Sequence, residues 1–261
     1  MENETFQYIP WLTGRWDKIG GYQPTMESVI LDLGCGVGSC VDQFRKAGYN
    51  KFYGCDFLRS FPEKIDYGLK QNMEDGVIRV IRETPYRLPF EDGSFDMVFS
   101  LQVFEHVMDY DATLAEIRRV LKPNGVSVHV FPGRWRWKEC HTYIPWAGVF
   151  NNYWYLKFWA ITGIRNEYQS GLSASETARR NWDYLLKQTN YLSRSNIRKH
   201  VMKYFGDCLF VEEAYFGNIN KPWMCWVVEH LAGFRAMWYA WFSDTDMRVL
   251  VFHKTKPNRD R

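Results

Sequence analysis

Residues 28–38 read Ser-Val-Ile-Leu-Asp-Leu-Gly-Cys-Gly-Val-Gly, and no other segment restricts the fold of this chain so tightly. The apolar run Val29-Ile30-Leu31, with its β-branched residues, predicts a strand buried on both faces of a parallel sheet. It ends in an acid, Asp32, followed by glycines at 34, 36 and 38 and by a helical pattern from Ser39 to about 47. A strand, a glycine turn and a helix start together present free backbone N–H groups and the positive end of a helix dipole to a ligand. Glycine lets the chain turn sharply and lets a ligand approach the backbone closely.

Spacing narrows the ligand. A dinucleotide loop reads G-x-G-x-x-G, whereas here the glycines run G-x-G-x-G and position 39 is serine. An acid two residues before the first glycine repels a pyrophosphate and suits a cation. A second predicted strand, Lys51-Phe52-Tyr53-Gly54-Cys55-Asp56, also ends in an acid. An open α/β sheet places a ribose-binding carboxylate about 20 residues past the glycine loop, and its two oxygens can each accept one O–H of a cis-diol. Taken alone, the two segments also fit a tight turn without a ligand and an exposed turn acid.

Three further stretches complete the pattern: Leu88-Pro89-Phe90-Glu91-Asp92-Gly93-Ser94-Phe95-Asp96-Met97-Val98, then Glu105-His106-Val107-Met108-Asp109, then Arg119-Val120-Leu121-Lys122-Pro123-Asn124-Gly125. With the D-x-G-x-G-x-G loop, they resemble the class I S-adenosylmethionine-dependent methyltransferases, the family that includes ubiquinone and menaquinone C-methyltransferases and many small-molecule O-methyltransferases. The resemblance spans residues 28–132 and departs at Asn124, where glycine is usual; asparagine tolerates a left-handed turn. It implies S-adenosylmethionine as cofactor. Asp32, Gly34, Cys35, Gly36 and Gly38 would face its amino-acid part, Asp56 and Phe57 its ribose, and Glu83 or Thr84 its adenine. Gln102 and Val103, after the fourth strand, would line the methionine end.

Strands are expected near 28–33, 51–56, 77–82, 95–100, 125–131, 208–215 and 247–254, and helices near 39–47, 62–73, 111–121 and 194–205. Strands alternating with helices argue for a doubly wound, mostly parallel, seven-stranded Rossmann-like sheet. Residues 1–132 read as the cofactor-binding part of the core, 133–192 as a helical insertion after strand five, and 193–261 as the rest of the core. The insertion carries six tryptophans, from Trp135 to Trp182. Ligands of open sheets bind beyond the carboxyl ends of the strands, so this segment leaves strand five beside the reacting group. It reads as a lid that builds the acceptor pocket, or else as a cap packed on itself. Trp223, Val227, Leu231, Phe234, Trp238 and Phe242 recur at helical spacing over 222–242; the stripe suits packing on the sheet or lid, or contact with a membrane surface.

The remaining features are negative. The start, Met-Glu-Asn-Glu, has no basic flank or apolar run, and no stretch has the apolar length of a membrane span. The six cysteines form no C-x-x-C pair, so no metal site is expected and the thiols read as reduced, in a cytoplasmic protein. A formal net charge of +3 without a basic cluster disfavours nucleic acid as the partner. A hydroxyl acceptor calls for a base. His106, after strand four, is one candidate, with a loop-capping role as its alternative. His141 is the other: in extended chain Glu139 falls on the same side and could orient the imidazole. His129, inside strand five, reads as structural. The resulting reading is methyl transfer from S-adenosylmethionine to oxygen of a small-molecule or glycan acceptor. C-methylation of a quinone-like ring and a non-catalytic, cofactor-binding partner subunit are the alternatives.

Overall fold

The computed structural model describes residues 22–63, 65–212 and 235–255. Seven strands form one sheet in the order β3-β2-β1-β6-β7-β9-β8. They are β1 (Ile30–Leu33), β2 (Phe52–Asp56), β3 (Ile78–Val80), β6 (Phe95–Leu101), β7 (Leu121–Pro132), β8 (Leu209–Phe210) and β9 (Met247–His253). The first five run parallel, with Ile30 opposite both Phe52 and Met97. Strand β9 runs antiparallel to β7 and β8. The doubly wound, mostly parallel sheet expected from the sequence is therefore the observed one.

Side chains alternate across the sheet. Ile30, Phe52, Met97 and Phe99 pack on Val41 and Phe44 of helix α1 (Ser39–Lys46). Leu31, Leu33 and Val98 face the other way, onto Leu114 and Ile117 of α3 (Tyr110–Val120). Both faces are covered, which explains why the central strands read as continuous apolar runs. Helix starts are set locally. Asp66, Asp109, Asn152, Ser173 and Ser193 each accept an N–H of the first turn, opening α2 (Tyr67–Glu74), α3, α4 (Tyr153–Ile161), α5 (Ala174–Gln188) and α6 (Arg194–Phe205). Such a cap contributes about 1 kcal/mol. Helix α1 differs: its cap is Gly38, with no side-chain bond to the first turn.

Several boundaries differ from expectation. The third strand stops at Val80, and the chain then makes a separate hairpin, β4 (Arg82–Glu83) with β5 (Tyr86–Arg87). Helix α2 begins at Tyr67, not near 62, because its capping residue is Asp66. The strand expected over 208–215 is described only as Leu209–Phe210. Of the aromatic helix expected at 222–242, Trp223, Val227, Leu231 and Phe234 lie outside the described residues; the described part is α7 (Arg235–Thr245).

Between β7 and α6 the chain builds a second apolar cluster. Ile144, Ala147, Leu156, Ala178 and Leu185 are buried together, with Tyr153, Tyr155, Trp159, Tyr184 and Tyr191 packed against them. Helices α4 and α5 form its body. Trp154, Phe158 and Ile161, one stripe of α4, remain exposed. Among the described residues no helix is long and apolar enough to cross a membrane.

Candidate functional site

The glycine loop leaves the carboxyl end of β1 beside that of β2. Gly34 sits at φ +80°, and a Cβ there would fall 2.3 Å from Val103 Cγ2. Val103, at the start of the segment after β6, thus lies directly on the loop. Gly36, at φ +52°, faces open space, and its N–H donates to Asp56 Oδ2 at 2.8 Å. The other oxygen, Asp56 Oδ1, accepts from the Phe57 N–H at 2.7 Å. Asp56 therefore ties the loop to the end of β2.

Asp32 is only 4% exposed. Burial pushes its carboxyl up to about 8, and the neighbouring Asp56 charge adds to the effect. Burial also holds the Cys35 thiol far above its ordinary value, with Asp32 contributing. A buried carboxyl held protonated at the mouth of an open glycine loop is what a cationic ligand would relieve. Two carboxylates, a loop with glycine at 34, 36 and 38 and a helix start with no side-chain cap fit S-adenosylmethionine, with its ammonium, sulfonium and ribose diol.

Glu83 and Thr84 are exposed on the β4–β5 hairpin, and Glu83 Oε2 pairs with Arg59 Nη1 at 2.6 Å. Gln102 adopts φ +56°, donates its backbone N–H to Val130 O at 2.8 Å and turns its amide to Met247 Sδ at 3.6 Å.

The structure brings His106 and His141 together, with ring centroids 4.9 Å apart. His106 Nδ1 lies 2.7 Å from the Gln188 carbonyl, so the ring donates there and leaves Nε2 as an acceptor. His141 Nε2 is buried and unpartnered. Desolvation lowers the His141 value, with the Glu139 charge opposing.

Glu139 does not orient the His141 ring. The turn after residue 139 is not extended chain. Its Oε2 accepts from the backbone N–H of His141 at 2.9 Å and from the N–H and hydroxyl of Thr142 at 2.6 and 2.8 Å. Its Oε1 accepts from the Tyr191 hydroxyl at 2.7 Å. Glu139 is thus a positioning residue. It shapes the turn that presents His141 and joins the beginning of the insertion to its end.

Sequence reasoning missed Glu105. It is 1% exposed, and neither carboxylate oxygen has a hydrogen-bond partner on another described residue. Burial pushes it up to about 8, with Glu139 adding and Arg136 opposing. Its Oε1 lies 3.9 Å from His106 Nε2. The Glu-His dipeptide was visible, but nothing in the sequence marks position 105 as an interior one. The Asn190 N–H donates to the Glu105 carbonyl at 2.6 Å and the Asn190 amide to Val107 O at 2.9 Å. Those bonds strap the end of the insertion to the loop that carries Glu105 and His106.

Beside His141 opens a cavity of about 300 Å³, lined among others by Tyr143, Tyr168, Tyr184, Asn166, Gln169 and Arg180. His129 is structural, as expected: its ring nitrogens lie 2.7 Å from the Ser100 and Ser127 hydroxyls, and the ring stacks on Phe104 at 3.9 Å. The five cysteines among the described residues are free thiols.

This loop, acid pair and strand order define a class I methyltransferase core, and comparison with known proteins agrees. Residues 31–129 match the family model described as the methyltransferase domain, and this part of the chain belongs to the class I S-adenosylmethionine-dependent methyltransferases. A sterol 24-C-methyltransferase of Schizosaccharomyces pombe is 32% identical over 105 residues, 38% of this chain and 26% of its own length. The norajmaline N-methyltransferase of Rauvolfia serpentina is 31% identical over 38% of this chain and 34% of its own. The demethylmenaquinone methyltransferase of Staphylococcus saprophyticus is 34% identical over 39% of this chain and 43% of its own. The chain therefore spans less than half the length of these curated relatives.

Among solved structures, PKMT2 from Rickettsia typhi has a TM-score of 0.55 at 15% identity, covering 98% of this chain and 54% of that one. A Haemonchus contortus phosphoethanolamine N-methyltransferase, solved with S-adenosylhomocysteine, has a TM-score of 0.50 at 16% identity, covering 98% and 54%. At these identities the likeness is one of fold.

Proposed function

We propose that this protein transfers a methyl group from S-adenosylmethionine to a hydroxyl oxygen of a small-molecule or glycan acceptor. The observation that carries the reading is the pair of buried acids, Asp32 and Asp56, at an open glycine loop, together with His106 after β6 and His141 after β7, whose rings lie 4.9 Å apart. Bound at that loop, the cofactor supplies an electrophilic methyl group. Asp32 would oppose its ammonium and Asp56 its ribose hydroxyls. Gly36 leaves room for close approach, and Val103 packs on Gly34 to hold the loop in shape.

The reaction displaces a neutral thioether from a sulfonium, so alignment and exclusion of water provide most of what the protein contributes. An attacking hydroxyl must also lose a proton. The free Nε2 of His106 and the unpartnered Nε2 of His141 are groups that can take it. C-methylation of an activated ring asks less of a base, and the paired imidazoles favour oxygen. The cavity beside His141 combines tyrosine faces with Asn166, Gln169 and Arg180, a lining suited to an acceptor with several oxygens.

The test has two parts. Calorimetry is expected to show one molecule of S-adenosylmethionine or S-adenosylhomocysteine per chain, with affinity lost when Asp32→Asn and Asp56→Asn are combined. Transfer of labelled methyl is then screened over phenolic, sugar and quinol acceptors. Undiminished binding in the double variant would remove the assignment. Label found only on ring carbon would replace O-methylation by C-methylation. Tight cofactor binding with no transfer to any acceptor would favour the partner-subunit alternative.

A further inference from the structure

Three side chains at the junction of core and insertion form a cluster that the cofactor loop does not explain. One carboxylate oxygen of Glu105, one ring nitrogen of His106 and one of His141 all lie within 4.8 Å of one another. Both Glu105 oxygens are buried without a hydrogen bond to another described residue, at 1% exposure. A buried carboxylate without a partner is costly. His141 adds a second orphan, its buried Nε2. Two buried groups without partners, beside His106 Nε2, leave room for a shared ligand between them.

The surroundings have the form of a metal ligand set. A ligating histidine usually donates its other N–H to a carbonyl or carboxylate, which sets the tautomer and the ring orientation. His106 does so through Nδ1, 2.7 Å from the Gln188 carbonyl. The main chain of His141 is held on both sides: its N–H by Glu139 Oε2 at 2.9 Å, and its carbonyl by Asn166 Nδ2 at 3.0 Å. Asn190, two residues past Gln188, secures the Glu105 carbonyl at 2.6 Å. Residues 188–190 thus hold Glu105 and His106, while Glu139 and Asn166 hold the backbone of His141. Bonds of about 2.1 Å in a tetrahedral set place ligand atoms roughly 3.4 Å apart. Rotamer adjustments of about an ångström would close the present spacing.

We infer that Glu105, His106 and His141 form a binding site for one divalent first-row metal ion, of the two-histidine, one-carboxylate type. Two imidazoles favour zinc, manganese, iron or cobalt over magnesium, which prefers an all-oxygen set. Three protein ligands leave at least one coordination position open, and His141 lines the cavity beside the cluster. An acceptor oxygen entering from that cavity would occupy the open position. There the ion would hold the oxygen in place and lower the pKa of its proton, a task otherwise left to the histidines as bases. That role rests on the proposed methyl transfer; the site itself does not.

The sequence hides such a site. Glu105 and His106 are adjacent, His141 comes from another segment, and no cysteine or His-x₃-His spacing signals it. Only the strap between the insertion and the post-β6 loop brings the three together.

The test uses the full chain freed of metal with a chelator, then titrated by calorimetry with Zn²⁺, Mn²⁺ and, as the hard-ion comparison, Mg²⁺. One Zn²⁺ or Mn²⁺ per chain is expected, with Mg²⁺ at least tenfold weaker. Co²⁺ should give visible absorption typical of mixed nitrogen and oxygen ligation. Glu105→Gln, nearly isosteric, and His141→Ala should each weaken binding at least tenfold and abolish the Co²⁺ band. His106→Ala, at a half-buried position, provides a third variant, and circular dichroism with a melting curve establishes that each one folds. Absence of stoichiometric binding, or binding unchanged in the folded variants, would overturn the site. S-adenosylmethionine titrated into metal-free protein separates the two readings. Metal bound without cofactor would leave the site standing and end the methyl-transfer reading; cofactor bound without metal would do the reverse.

Discussion

On the proposed reading, the buried Asp32 carboxyl makes cofactor binding a proton-releasing event. With its value at about 8, the carboxyl carries about 0.9 proton at pH 7 and 0.99 at pH 6. An ammonium placed beside it needs the ionised form, so binding must expel that proton. The ligand's own amino group, with a value of about 7.7–8.0, is still more than four-fifths protonated at pH 7. Over this range the affinity should follow chiefly the ionised fraction of Asp32, and Kd should fall about eightfold between pH 6 and pH 7. A carboxyl of ordinary value would itself contribute a change of under about 1%. Calorimetry in phosphate and in Tris, whose ionisation heats differ, measures the released proton directly. Asp32→Asn should weaken binding and flatten the profile. Asp56→Asn should move the rise to lower pH, because the Asp56 charge contributes to the upward push. A Kd independent of pH from 6 to 7, with no net proton release, would refute the reasoning.

The same carboxyl affects the ligand-free protein. Its folded value exceeds its ordinary 3.8, so the native state holds an extra proton between about pH 4 and pH 8, and this group's contribution to stability falls as pH rises through that window, by about 1.4 kcal/mol per unit; Asp32→Asn should remove this slope in urea titrations. Gly34→Ala combines φ +80° with a Cβ 2.3 Å from Val103 Cγ2 and should cost at least about 2 kcal/mol and the cofactor site with it; an unchanged urea midpoint would contradict this. Glu139→Gln sets an NH₂ group against a donor in a cluster where the carboxylate accepts four hydrogen bonds, and a loss of about 2–3 kcal/mol is expected in the same assay. Arg248→Met removes a fully buried guanidinium that donates to Ser243 O, Leu192 O and Asp244 Oδ1, and should cost about 3 kcal/mol; under 1 kcal/mol would show those carbonyls to be otherwise satisfied.

Much of the core was readable because its signals are local. The run Val29–Leu33, the glycines and Asp32 sit within one strand-turn-helix unit, so residue order alone brings them to one turn at the carboxyl end of a strand. Asp56 could be located because β2 follows α1 in the same unit. Element ends were less legible. Asp66 capping α2 and the hairpin at 82–87 depend on one or two residues whose competing choices differ little in energy.

The class of fold, the cofactor loop and its two acids were therefore determined by the sequence itself, since periodicity, glycine placement and strand-end acids act over a few residues. The tertiary structure decided what lies beyond that range. It turned Glu139 toward backbone amides instead of an imidazole, buried Glu105 without a partner, and brought His106 and His141 within 4.9 Å of each other. Those outcomes depend on an insertion folding around its own apolar cluster and fastening its end, through Gln188 and Asn190, to the loop after β6. Contacts between segments so distant in the chain leave no periodicity to read, because packing and desolvation select them only after both segments have folded.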